Sequence, residues 1–138
     1  MTGNRITLVT LGVADIARAR AFYEALGWVP GQAMDDVVFY DMDGAKFGLY
    51  RRDLLAADTG RAPAALGTGA MTLAQNYATE AEVDAAYEAA LSAGATPLGR
   101  PTKAEWGGYS GTFADPDGHV WEYAVNPFWP LDDAGRLA

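Results

Sequence analysis

Cysteine is absent from this 138-residue chain, and histidine occurs once, at His119. The first absence excludes disulfides, thiol nucleophiles and cysteine metal sites. The second leaves a single imidazole able to titrate near neutrality. Basic residues are also scarce: ten Lys and Arg stand against eighteen Asp and Glu, for a net charge of −8. Neutralising a phosphate backbone needs clustered Lys and Arg, so a nucleic-acid partner is not expected. An acidic surface favours cationic ligands, and it serves solubility equally well. No hydrophobic run approaches membrane-spanning length, and residues 1–5 carry no signal-peptide pattern. The expectation is a soluble cytoplasmic protein with no membrane partner.

Half of the residues are hydrophobic and sixteen are glycine, which suits one ordered domain with a packed core and many turns. Residues 6–13 predict a strand. Asp15 then stands as a helix N-cap before Ile16, Ala19, Phe22, Tyr23 and Leu26, spaced for one helical face and closed by Gly27. A short extended piece near residues 28–32 precedes strands over 37–41 and 45–51, with a turn at 42–44. Residues 53–68 lack a convincing period and read as a connector with room for a short helical turn.

The pattern then restarts. Residues 70–78 predict a strand, and Thr79 with Glu82 forms a capping box. Val83, Ala86, Tyr87, Ala90 and Leu91 make a helical stripe ended by Gly94. Residues 95–98 are extended, 103–108 form a loop, and 109–114 with 119–125 form a hairpin around Asp115-Pro116-Asp117-Gly118. Sliding the halves together matches the stretch 39–44 with 113–118 position for position. In the following strands Phe47 pairs with Trp121 and Leu49 with Tyr123 on one face, while Gly48 pairs with Glu122 on the other. At the front of each half Leu8 matches Thr72 and Tyr23 matches Tyr87. Several independent coincidences of this kind indicate internal duplication.

The tandem β-α-β-β-β order, with Val13-Ala14-Asp15 leading into Ala21-Phe22-Tyr23 and Leu26-Gly27-Trp28, and with Asp115-Pro116-Asp117-Gly118 before Trp121-Glu122, resembles the vicinal oxygen chelate superfamily. That group holds the glyoxalases, bleomycin-resistance proteins and extradiol dioxygenases. The resemblance implies an α+β fold in which two βαβββ modules form a curved, cup-like mixed sheet with helices on its outer face. It divides a single domain into module 1 over about 5–52, a connector over 53–68, module 2 over about 69–127, and a tail over 128–138. It further implies a cup commonly completed by a second chain, hence a homodimer, and, in the enzymes of the family, a divalent metal held from the first and last strands of each module.

By the repeat, those metal positions fall on Leu8, Gly48, Thr72 and Glu122. Only Glu122 offers a normal ligand, and a catalytic divalent ion needs several. No cofactor is therefore expected. The resemblance then points to the metal-free members, which bind a drug-like or metabolite molecule in the same cup. The alternative is a lyase- or isomerase-type enzyme using Glu122 as general base or metal ligand.

Around Glu122 the expected ligand-binding residues are Tyr40, Tyr50, Asn76, Trp106 and Tyr109. Tyr50 and Asn76 fall on the cup-facing sides of their strands by alternation, and parity places Tyr40 nearer the pocket than the core. Trp106 and Tyr109 flank Gly107-Gly108 in a loop suited to stacking on a flat ligand. Gln75 falls where the repeat calls for an apolar residue, so either the register is shifted there or Gln75 is a buried amide with a partner. His119, directly after the turn glycine, serves local backbone groups more naturally than catalysis. Phe128, Trp129 and Leu131 make the tail apolar enough to pack.

Overall fold

A computed structural model describes residues 3–137 and divides the chain between Gly67 and Thr68 into two units. The first runs β1 (Leu8–Val13), α1 (Ile16–Ala25), β2 (Pro30–Ala33), β3 (Val37–Asp41) and β4 (Lys46–Arg51). Its sheet has the order β1-β4-β3-β2, parallel between β1 and β4 and antiparallel elsewhere. Asp15 caps α1 by accepting from the Arg18 amide at 3.1 Å, as its position predicts. Leu11, Val13, Val38, Tyr40, Phe47 and Leu49 are buried on one sheet face, with Ala19, Phe22 and Tyr23 of α1 buried beside them. Tyr23, Trp28 and Phe47 interlock with ring centroids 5.1–5.3 Å apart. Each such aromatic pair adds about 0.5–1.5 kcal/mol beyond its buried area.

The connector is more regular than its sequence suggests. α2 (Arg52–Asp58) follows directly on β4, and a 3₁₀ turn spans Pro63–Ala65. α2 lies against the second face of the sheet: a Cβ on Gly12 would stand 3.0 Å from Leu55 Cδ2, and Ala56 is fully buried. Gly12 is small because Leu55 occupies the space beside it.

The second unit runs β5 (Thr72–Asn76), α3 (Glu80–Ala93), β6 (Thr96–Lys103), β7 (Tyr109–Ala114) and β8 (Val120–Val125), with sheet order β5-β8-β7-β6. The capping box forms: Thr79 accepts from the Glu82 amide and Glu82 from the Ala78 amide, each at 3.2 Å. Gly94 ends α3 at φ 116°, a conformation costly for any residue with a Cβ. Val83, Tyr87 and Ala90 of α3 are buried with Phe113, Trp121 and Tyr123. β6 is longer than the four extended residues expected at 95–98. It tolerates Pro97 and Pro101 because it is an edge strand, with register shifts from Pro97 to Gly99 and from Gly99 to Thr102.

The two sheets share one topology, so the fold is α+β with two βαβββ modules. The internal match needs one correction. Residues 42–45 separate β3 from β4, whereas 115–119 separate β7 from β8, so the second corner is one residue longer. Phe39 pairs with Gly48 and Thr112 with Glu122, while Tyr40 pairs with Phe47 and Phe113 with Trp121. Tyr40 is thus the counterpart of Phe113, and Phe39 of Thr112. A one-residue slip exchanges the two faces of a strand. The position-for-position match of 39–44 with 113–118 therefore does not extend to these side chains.

Candidate functional site

Alternation along β8 puts Trp121 and Tyr123 under α3 and Glu122 on the other face. Among the described residues of the second unit the one helix, α3, lies on the Trp121 and Tyr123 side. Glu122 is half-buried, paired across the ladders with Ala74 of β5 and Thr112 of β7. Its further neighbours on the same face include Asn76, Ser110 and Ala124, again small or medium side chains. The result is a patch of short side chains around one carboxylate. Within its own unit, among the described residues, that carboxylate makes no hydrogen bond or ion pair, so it is available to an incoming donor or cation.

In the first unit the equivalent face presents Leu8, Thr10, Phe39 and Gly48. Leu8 and Thr72 do occupy equivalent places, opposite Lys46 and Val120. Directly across from Gly48 and Glu122, however, stand Thr10 and Ala74. Gly48 is roofed by a neighbour: a Cβ there would lie 3.2 Å from Phe39 Cε1. Tested against the divalent ion that the resemblance implies, these residues do not fit. Leu8 and Gly48 bring no donor atom, Thr72 a neutral hydroxyl, and among the described residues no three His, Asp or Glu side chains gather within metal-holding range.

The other expected residues separate. Tyr50 stands on the face of Gly48, but its hydroxyl donates to Asp58 Oδ2 of α2 at 2.8 Å, a bond that also raises its pKa. Asn76 lies at the end of β5, half-buried, lining a cleft described below. Two tyrosines are corrected outright. Tyr40 is 1% exposed and belongs to the core beneath α1, where its hydroxyl donates to Glu24 Oε2 at 3.0 Å. Burial first, and that bond second, push its pKa up. Glu24 in turn is held below the usual carboxylate range, chiefly by Arg20 Nε at 2.7 Å. Tyr109 sits on the α3 face, away from Glu122, because it shares the parity of Gly111 and Phe113. Its hydroxyl donates to Asp84 Oδ1 at 2.6 Å, which raises its pKa to about 12.

Trp106 turns back over its own loop. A Cβ on Gly108 would lie 2.2 Å from the indole Cη2, so only glycine admits the ring. The indole stacks on Phe128 of the tail, centroids 6.3 Å apart at 29°, and both rings stay exposed. Trp129 is likewise 58% exposed, so the apolar tail is ordered without burying its two aromatics. Gln75 keeps the expected register opposite Tyr123 but is exposed, and its Oε1 accepts from the Tyr77 hydroxyl at 2.9 Å. His119 donates its backbone amide to Asp115 Oδ1 at 2.9 Å.

Sequence reasoning overlooked Thr112, Ala74 and Phe39 around the Glu122 and Gly48 positions. Asp115 is the one buried acid of the described core, 3% exposed, and its Oδ1 also takes the Asp117 amide at 2.9 Å. Its role is to hold the corner. The Asp-x-Asp-Gly pattern carries that reading, since Asx side chains bond amides two residues on.

A sequence model of the Glyoxalase/Bleomycin resistance protein/Dioxygenase superfamily matches residues 5–123. Comparison with functionally curated proteins gives no match. Among solved structures, a glyoxalase-related enzyme from Fulvimarina pelagi is 34% identical, covering 98% of this chain and 97% of that one, with a TM-score of 0.90. A glyoxalase/bleomycin resistance protein/dioxygenase family enzyme from Burkholderia phytofirmans PsJN is 20% identical over 86% and 96% of the two chains, TM-score 0.77. Lactoylglutathione lyase from Agrobacterium tumefaciens is 20% identical over 95% and 100%, TM-score 0.71. The last two likenesses are of fold alone. No helix among the described residues is long and apolar enough to cross a membrane.

Proposed function

Because this chain belongs to the Glyoxalase/Bleomycin resistance protein/Dioxygenase superfamily, we propose that it binds a small organic molecule over the sheet face bearing Glu122, without a divalent metal, and sequesters or carries it. The observation that supports this reading is a half-buried carboxylate with no partner in its unit, ringed by the short side chains of Ala74, Thr112 and Ala124. An acid so placed anchors a ligand amine or hydroxyl, and the short side chains leave room for the body of the molecule. The metal site of the family is degenerate on this reading. Leu8, Gly48 and Thr72 supply no second strong ligand, and one carboxylate does not hold a catalytic ion against water. A cytoplasmic homodimer completes the proposal, a second chain enclosing what one open face leaves uncovered.

A second reading shares the same atom. A carboxylate unengaged within its unit is also free to accept a proton, so Glu122 as general base in a metal-independent isomerase or lyase is the competing assignment. One experiment separates them. A metabolite and drug library is screened by thermal shift, hits are measured by calorimetry on wild type and Glu122→Gln, and metal content is measured alongside. Binding weakened about tenfold or more in the variant, with no turnover of the hit and no stoichiometric metal, supports the carrier. Turnover abolished while binding is kept transfers the assignment to the enzyme, and a stoichiometric divalent ion overturns the metal-free claim.

A further inference from the structure

The C-terminal tail builds a concavity that adjoins the Glu122 face and shares Ala74 and Asn76 with it. Residues 125–137 fold back along the ends of β5 and β8 and enclose a cleft of about 810 Å³, within the range of small-molecule pockets. Glu122 does not line it. The tail is held in shape by its own hydrogen bonds. Asn126 Oδ1 accepts from the Phe128 amide, and Asp132 Oδ1 accepts from the amides of Ala134 and Arg136, each at 2.9 Å. Leu131 and Leu137 bridge as an antiparallel pair. Pro127 and Pro130 fix the backbone close on either side of Trp129. The walls are therefore largely pre-formed, which lowers the entropic cost of binding.

We propose that this cleft, bordering the Glu122 face but not lined by Glu122, takes a small organic cation with a flat apolar body. Three features give the class. Trp129 lines the cleft with its ring accessible, and an indole face is the best aromatic surface for a cation. Tyr77, Pro127, Pro130 and Val125 supply apolar wall for a flat body. Among the described residues no Lys, Arg or His lines the cleft, while Glu82, Asp132 and Asp133 do. Two of those acids are already engaged. Glu82 accepts the Ala78 amide, and Asp132 pairs with Arg136 Nε at 2.9 Å. Asp133 is exposed and makes no hydrogen bond or ion pair among the described residues, so its carboxylate is accessible to a ligand cation. Asn76 adds an amide at the inner end.

The test uses benzyltrimethylammonium as probe, with benzyl alcohol as the neutral control and benzoate as the anionic one. Calorimetry is combined with the indole N–H resonances of wild type and of Trp129→Leu, Asp133→Asn and Glu122→Gln. The expected result is saturable binding of the cation at least tenfold tighter than of either control, with the shifted indole resonance being the one missing from Trp129→Leu. Binding falls tenfold or more in Trp129→Leu, falls severalfold in Asp133→Asn, weakens with added salt, and falls less in Glu122→Gln than in Trp129→Leu. Circular dichroism confirms folding, and Asp133→Asn carries the test should Trp129→Leu fail to fold. No binding, equal binding of benzyl alcohol, or binding lost in Glu122→Gln but kept in Trp129→Leu overturns the proposal. The failure of this site and of the Glu122 face are read from different variants.

Discussion

Phe39 lays its ring across Gly48, 3.2 Å from where a Cβ would stand, at the position equivalent to Glu122 in the other unit. The pair is cross-strand, and an aromatic ring covering a strand glycine compensates for the packing the glycine lacks. The same contact explains why no side chain projects from this face at residue 48. Four proteins, wild type, Gly48→Ala, Phe39→Ala and the double variant, compared by urea unfolding, are expected to show a coupling of about 1 kcal/mol. Its sign makes the added methyl less favourable when Phe39 is present. Additive changes would mean that the ring yields freely.

Asp115 anchors the second corner through one oxygen atom. Its Oδ1 accepts both the Asp117 and the His119 amides, and the group is almost wholly buried. Asp115→Ala leaves two amides without that acceptor and is expected to cost roughly 2 kcal/mol, whereas Asp115→Asn keeps a carbonyl oxygen and costs less than about 1 kcal/mol. Chemical denaturation midpoints at constant m decide it. Equal losses in the two variants would show that charge, rather than the acceptor, holds the turn.

Tyr109 gives a pH dependence with a definite sign. Its hydrogen bond to Asp84 raises the folded pKa to about 12, above the ordinary tyrosine value of about 10. A raised folded pKa contributes stability that is full below the unfolded value and is lost as pH rises through the folded one. The loss therefore falls between about pH 10 and 12. In Asp84→Asn the Tyr109 ring resonances, identified by their absence from Tyr109→Phe, are expected to titrate nearer 10. A midpoint unmoved in Asp84→Asn would remove the carboxylate as the cause.

Much of this was legible in the chain. Asp15, the Thr79–Glu82 box and Gly94 mark helix ends by local chemistry alone, and the structure places them so. Two faces of β4 and β8 follow from alternation: Phe47, Leu49, Trp121 and Tyr123 inward, Gly48 and Glu122 outward. Tyr109 was legible too, since counting back by twos from buried Phe113 reaches it. The appeal of the loop aromatics outweighed that count. Tyr40 was not legible by the repeat, because the deciding quantity is the length of a turn. Asp-x-Asp-Gly closes both corners, yet the second accommodates one more residue, with Asp115 bonding the amides inside it.

By itself the sequence determined the duplicated βαβββ order, the boundaries of α1 and α3, and the inward and outward residues of the last strands, Glu122 among the outward ones. Those depend on neighbours a few residues apart, where backbone period and capping chemistry act. Tertiary structure alone decided that Phe39 covers Gly48, that α2 takes the Tyr50 hydroxyl through Asp58, that Trp106 stacks on Phe128, and that the tail borders a cleft beside Trp129. Each joins side chains from separate elements. Such contacts are set by how strands are registered and how segments return on one another, and no local pattern encodes that.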